Sequence, residues 1–232
     1  LGAAFYTWHQ VLGRTERFHM KHAFWGPEYS DERMRAVAEG SGFLVKSCVD
    51  DEELVETAAR LLSDGLVVGW YQGRSEWGPR ALGNRSILAD PSVPTMKDTI
   101  NAKIKRRESF RPFAPSVLKE DAGIYFEQVV DTPFMMHVVK IRPEWRDRLP
   151  AVTHVDGTGR MQTVDRESNP LYHRLISAFK RKSGIGLVLN TSFNENEPVV
   201  DTPEQAYACF ERTDMDALCL GRHILMKPRV SP

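Results

Sequence analysis

Cysteine is scarce. Cys48, Cys209 and Cys219, at unrelated spacings in 232 residues, make no disulfide framework. Reduced, partly buried thiols in a cytoplasmic protein are the expectation. No run approaches the ~18 consecutive apolar residues that a membrane-spanning helix takes. The first residues show no charged-then-apolar leader pattern. Neither a GxxxxGK[ST] phosphate loop nor a GxGxxG after a strand occurs, which argues against P-loop and dinucleotide folds. No serine stands in a Gly-x-Ser-x-Gly elbow, so a serine hydrolase is not expected. His19 and His22 have no cysteine or acid pair at ligand spacing, and no metal site is assigned. Net charge is also missing, with 31 basic and 31 acidic side chains.

What is present is unevenly spread. Hydrophobic residues make up 41 % of the chain, enough for a core. Between Arg74 and Arg111 nine Lys/Arg face four acids, a local excess of +5 in a neutral chain. Such an excess suits a small anionic ligand better than a long nucleic acid.

The sequence predicts a helix over Leu1–Leu12 and an irregular linker from Gly13 to about Ser47. A compact α/β domain is expected from residue 48 to 232, with residues 1–47 as the tail of a preceding domain plus linker. Asp50 and Glu53 form a capping-box pattern ahead of an amphipathic helix that Gly65 ends. Leu66–Tyr71 reads as a buried strand, followed by a Gly/Arg-rich loop from Gln72 to Arg85. Helices are expected over Pro94–Ile104, Lys119–Phe126, Asn169–Lys182 and Pro203–Arg212. Strands are expected over Ala114–Leu118, Phe134–Ile141, Gly159–Val164, Gly186–Asn190, Ala217–Leu220 and His223–Met226. The order implies a twisted mixed sheet with flanking helices.

Four motifs carry chemistry. Gly73–Asn84 (GRSEWGPRALGN) is a glycine-punctuated loop after a strand, in which Arg74, Arg80 and the following Arg85 offer guanidinium forks that suit phosphate. An Arg-rich surface turn would have the same composition. In Lys105–Ser116 (KRRESFRPFAPS), Lys105 and Arg107 would share a face if extended, and Arg111 adds a further cation. Phe110 and Phe113 would anchor the segment, whereas a solvated basic turn needs no anchor. His154–Gln162 (HVDGTGRMQ) brings His154 and Arg160 to neighbouring places, and a buried arginine there needs an anion. Leu189–Asn194 (LNTSFN) puts Asn190, Ser192 and Asn194 at the C-terminal end of a strand, where α/β ligands commonly sit; an Asx/Ser turn is the plainer reading.

These phrases, in order from Gly65 to Gly221, resemble the C-terminal region of the NodU/CmcH-type O-carbamoyltransferases. The segment GAAFYTWHQVLG resembles the last helix of that family's actin-like ATPase-fold domain. The resemblance implies a YrdC-like fold whose Lys-x-Arg and Ser-x-Asn pairs are Lys105/Arg107 and Ser192/Asn194. It implies a cleft that takes ATP and carbamoyl phosphate and forms carbamoyl adenylate for transfer to a hydroxyl acceptor. By that carry-over, Lys105, Arg107, Arg160 and Asn190 serve the chemistry, and Arg74, Arg80, Arg111, His154, Ser192 and Asn194 bind the substrates. Mg²⁺ would accompany the nucleotide, and a transition metal would belong to the actin-like domain, expected as a partner of this one. The chain has no His-x-x-x-His pair, the family's metal-ligand signature, so these residues alone are expected to stop at the activated intermediate. Two other readings stay open: a nucleotide-binding module without turnover, and an enzyme of the tRNA threonylcarbamoyl-adenylate type. Neutral charge speaks against the second.

Overall fold

The described part of the structure, a computed structural model covering residues 1–228, carries nine strands in one mixed sheet. They are β1 (Leu44–Ser47), β2 (Val68–Tyr71), β3 (Arg85–Ala89), β4 (Ala114–Leu118), β5 (His137–Lys140), β6 (Thr158–Val164), β7 (Leu187–Ser192), β8 (Ala217–Leu220) and β9 (His223–Met226). Their spatial order is β1-β9-β8-β2-β3-β7-β4-β6-β5. β2 and β8 run parallel, as do β4 and β6, and the remaining neighbours are antiparallel.

That topology brings the motifs to one edge. β7 is antiparallel to both β3 and β4, so its C-terminal end lies beside their first residues, with Ser192 opposite Ser86 and Asn190 opposite Ala114. β2 is antiparallel to β3, which puts Tyr71 and the start of the 72–84 loop at the same edge. β6 is parallel to β4, with Gln162 opposite Ser116. Moving two residues back along both strands sets Arg160 beside Ala114, on the same face as Gln162 and Ser116. Four segments far apart in sequence therefore emerge together.

The helix Asp51–Ser63 follows its expected logic. Asp50 accepts from the Glu53 amide at 2.9 Å, and three acids in the first turn meet the positive end of the helix dipole. The reciprocal bond of the capping box is shifted by one residue, since Glu53 accepts from the amide of Val49. Gly65 stands beyond the helix end with φ +76°, open to glycine at no steric cost. Leu54, Val55, Ala58 and Leu62 are buried and pack on Pro170–Ser183, whose Leu175, Ile176 and Phe179 are buried too. Arg174–Glu52 and Arg181–Glu56 ion pairs cross between the two helices. Each fully buried apolar side chain contributes about 1.5–3 kcal/mol. An exposed ion pair contributes about 0–1 kcal/mol, so the apolar seam dominates.

Three expectations need correcting. Residues 13–47 are not irregular throughout: Ser30 caps a helix at Asp31–Glu39, and β1 pairs with β9 at the sheet edge. β1 shows no alternation because three of its four residues are exposed. Arg85, read as the last residue of a loop, instead begins Arg85–Ala89, a fully buried strand in the middle of the sheet to which the sequence assigned no element. The strand expected over Phe134–Ile141 is confined to His137–Lys140, and Pro143–Arg146 forms a short helix. No helix among the described residues is long and apolar enough to cross a membrane.

Candidate functional site

A cleft of about 410 Å³ opens at the shared edge. Its lining includes Arg80, Arg107, Arg111, Arg160, His154, Asn190 and Ser192, together with Phe113, Ala114, Met135 and Val138. No Asp or Glu lines it. A second cleft of about 500 Å³ adjoins it, sharing Pro79, Arg80 and Ser192 and adding Asn194, Glu76 and Asp201. Seven of the ten candidate side chains thus meet in the first cleft, and Asn194 stands next door.

The 72–84 loop is folded around two charges, a half-buried Glu76 and a buried Arg85. Glu76 Oε1 accepts from the amides of Leu82 (2.7 Å), Asn84 (2.8 Å) and Arg85 (3.2 Å). Arg85 lies fully buried, its guanidinium 3.7 Å from the centre of the Tyr71 ring. It donates to the carbonyls of Gln72, Asn84 and Gly73, so its fork is spent on holding the loop rather than on a ligand. Arg74 is also displaced from the expected role. It is exposed, donates to the Trp25 carbonyl at 3.2 Å, and lines neither cleft. Arg80 alone of the three reaches the main cleft.

The basic segment is a turn, not an extended run. Arg106 has φ +43°, which sends Lys105 and Arg107 to different places. Arg107 points into the main cleft, donating to Asn101 Oδ1 at 2.7 Å and lying over the buried Phe113 ring. Lys105 is buried beneath β7. Its Nζ donates to the Ser192 carbonyl (2.6 Å), the Asn194 carbonyl (2.7 Å) and Asn194 Oδ1 (2.7 Å). Phe113 anchors the segment as expected, but Phe110 is 73 % exposed and anchors nothing. Arg111 is exposed and pairs with Glu108 at 3.0 Å.

The Asp156–Gly159 turn is closed by Asp156 Oδ1, which accepts from the Thr158 amide and hydroxyl. His154 Nδ1 lies 3.0 Å from Thr158 Oγ1. Burial pushes the His154 imidazole below its ordinary pKa, and Arg160 adds to the shift, so the ring is neutral near pH 7. Burial lowers the Arg160 guanidinium too, helped by Arg80 and Arg107. Arg107 is lowered by burial and by Arg111. These arginines stay charged, and the cleft stores their mutual repulsion. Arg160 Nε is buried without a hydrogen-bond partner, as is Asn190 Oδ1. Two residues passed over in the sequence, Ser116 and Gln162, lie behind Asn190 and are fully buried. The available signal was a glutamine two positions from Arg160 inside a buried strand, where a polar side chain must find partners.

Burial, with Arg107 second, pushes the Lys105 ammonium down to about 7. An anion bound nearby favours the charged form and raises that value again. At pH 8 the free protein should therefore hold part of its Lys105 as the neutral amine, which gives up one of the three donated bonds, and take up a proton when phosphate binds, and affinity should fall as pH rises above 7. Calorimetric titration at pH 8 in two buffers of different ionisation enthalpy reads the uptake directly. Proton release, or an uptake that persists in Lys105→Met, would show that Lys105 is not the coupled group.

Among the described residues, no group of three or more His, Cys, Asp or Glu is arranged to hold a metal ion.

Comparison with known proteins matches residues 59–227 to the family described as carbamoyltransferase C-terminus. The nodulation protein NolNO of Sinorhizobium fredii is 45 % identical over 100 % of this chain and 35 % of its own length. The 3'-hydroxymethylcephem-O-carbamoyltransferase of Amycolatopsis lactamdurans is 47 % identical over 58 % of this chain and 25 % of its own. The chain thus spans about a third of the length of the NolNO relative. Among solved structures, full-length HypF in its phosphate- and nucleotide-bound form aligns with a TM-score of 0.50 and 16 % identity, covering 79 % of this chain and 22 % of that one. That likeness concerns the fold alone, which is YrdC-like with a mixed sheet and flanking helices.

Proposed function

The chain belongs to the carbamoyltransferase C-terminus family, and from that premise we propose that its main cleft binds ATP and carbamoyl phosphate and forms carbamoyl adenylate, for O-carbamoylation of a small-molecule or glycan hydroxyl. One observation carries the reading: four arginines line a cleft to which no carboxylate is contributed among the described residues. Arranged this way they repel one another, and a polyanion is the ligand class that relieves them.

The chemistry asks for this arrangement. Water first hydrolyses carbamoyl phosphate, its oxygen forming a new bond as the bond between the carbamoyl and phosphoryl groups breaks, which leaves carbamate and inorganic phosphate. A carbamate oxygen then attacks the α-phosphorus of ATP, forming a P–O bond as pyrophosphate leaves. The attack brings two anions together, so cations fixed before the reaction lower its barrier without reorganising. Arg80, Arg107 and Arg160 are held by strand ends and short turns, and Lys105 fixes the Ser192–Asn194 loop beside them. His154, neutral near pH 7, can accept or donate a hydrogen bond without adding charge. The adjoining cleft shares Arg80, which places room for a second part of the substrates next to the first. An acceptor hydroxyl and any transition metal would belong to the remainder of a longer chain, with the actin-like domain as the expected partner.

Pyrophosphate exchange tests the reading. With ATP, Mg²⁺ and carbamoyl phosphate, labelled pyrophosphate should enter ATP, and omitting carbamoyl phosphate should abolish the exchange. Tight ATP binding with no exchange would instead make the domain a nucleotide-binding module without turnover.

A further inference from the structure

Asn190 lines the main cleft, and the two ends of its amide can be told apart. Its Nδ2 faces three acceptors: the Ala81 carbonyl at 3.1 Å, Ser116 Oγ at 2.9 Å and Gln162 Oε1 at 3.2 Å. Its two protons are therefore spent inside the protein. Gln162 is pinned in turn, because its Nε2 donates to the Leu82 carbonyl at 2.9 Å. Ser116 Oγ gives its proton to Gln162 Oε1 at 2.7 Å and so is free to accept from Asn190.

The orientation of both amides follows from the backbone. A carbonyl oxygen only accepts, so the group facing Ala81 O must be the NH₂ of Asn190, and the group facing Leu82 O must be the NH₂ of Gln162. Flipping either amide would set oxygen against oxygen. All three side chains are nearly inaccessible, at 1 % for Asn190, 3 % for Gln162 and 0 % for Ser116. Asn190 lines the cleft, and its Oδ1 has no partner among the described residues.

We propose that Gln162 and Ser116 are positioning residues that lock Asn190 as a one-way acceptor, so that the cleft selects a small acyl phosphate bearing an N–H donor over one bearing a methyl group. The inference rests on the proposed carbamoyl phosphate site and names the feature of that substrate which is read. The carbamoyl NH₂ supplies the proton that Oδ1 lacks, and the phosphate meets the arginines. Acetyl phosphate has the same charge and nearly the same shape, but its methyl leaves Oδ1 buried and unpaired. A site built to bond an N–H rejects an analogue without one for that reason.

Calorimetric titration of the chain with freshly prepared carbamoyl phosphate and, separately, acetyl phosphate measures the ratio of affinities. The cost of one unpaired buried acceptor sets the expected preference for carbamoyl phosphate at roughly 10- to 100-fold. In Gln162→Leu, Oε1 is gone, and the freed Ser116 hydroxyl can donate to a flipped Asn190 Oδ1. Only Ala81 O then opposes the flip, and the ratio should fall toward unity. Asn190→Leu should remove the preference outright. Because the readout is a ratio within one protein, general destabilisation does not move it, and the wild-type ratio stands if a variant fails to fold. Equal affinity for the two ligands in the wild type overturns the inference and leaves the carbamoyl phosphate cleft standing. Undiminished preference in a folded Gln162→Leu overturns the positioning role. Binding of neither acyl phosphate overturns the proposed function and this inference with it.

Discussion

Gly83→Ala should unfold the domain at a temperature well below the wild type, although the substitution adds one methyl group. Gly83 has φ +109°, a backbone conformation that L side chains rarely adopt. A Cβ built there would stand 2.6 Å from Cε1 and Cγ of Tyr172. That ring cannot yield, because Tyr172 is fully buried in the helix Pro170–Ser183 against the core. The backbone cannot yield cheaply either. Gly83 N donates to Ser86 Oγ, and its neighbours Leu82 and Asn84 both donate to Glu76 Oε1. Overpacking costs about 1–3 kcal/mol. Strain at an unfavourable φ adds about 1–3 kcal/mol. Together they take a large part of the ~5–15 kcal/mol that holds a typical domain together, and at roughly 2–4 °C per kcal/mol the melting temperature should fall by about 4–24 °C. Melting followed by circular dichroism checks this. The double variant Gly83→Ala, Tyr172→Leu should lose less than the two single losses added, since the ring is the obstacle. A single variant that melts within about 2 °C of wild type would mean that the loop and the helix are not packed as described.

The same loop marks where sequence reasoning succeeds and where it stops. The helix at Asp51–Ser63 was legible because cap, acidic first turn, apolar spacing and terminal glycine all agree. β4, β8 and β9 were legible to the residue, each being a short run between clear breakers. β3 was not, because RSILA is five buried residues attached to a loop whose glycines and arginines dominate the composition. β1 was not, because an edge strand with exposed side chains has no pattern to read. At the site, the four motifs announced themselves, and the antiparallel placement of β7 between β3 and β4 brings them to one edge. The division of labour among like residues did not show. Arg74, Arg80 and Arg85 are equivalent as letters. Only the fold reveals that one reaches the Trp25 carbonyl, one lines the cleft, and one is consumed by three carbonyls of its own loop. Gln162 escaped for the opposite reason: it closes the His154–Gln162 motif as an ordinary polar residue, and its work is done on Asn190 from inside a buried strand.

Arg160→Ala should weaken ATP and carbamoyl phosphate binding while leaving the free protein as stable as before, or more so. Arg160 stands on β6 beside Arg80 and Arg107, both of which disfavour its charge, and its Nε is buried without a partner. With no acid in the cleft lining, removing this guanidinium breaks no ion pair there and relieves like-charge repulsion. The ligand experiences the reverse, since it loses a desolvated, charge-assisted contact, a loss of about 2–4 kcal/mol. In affinity that is roughly 30- to 1,000-fold. Opposite signs for binding and stability separate a ligand-facing arginine from a structural one, whose loss would lower both. Arg160→Lys should recover only part of the affinity, because an ammonium restores the charge without the planar fork that meets two phosphate oxygens at once. Raising the salt concentration should narrow the gap between wild type and Arg160→Ala, as screening weakens the interaction that distinguishes them. Calorimetric titration with each ligand, paired with a thermal melt of the free proteins, gives both signs in one set of samples. Unchanged affinity for both ligands would take Arg160 out of the site. A melting temperature that falls along with the affinity would make it a structural residue whose loss reaches the ligand only through the fold.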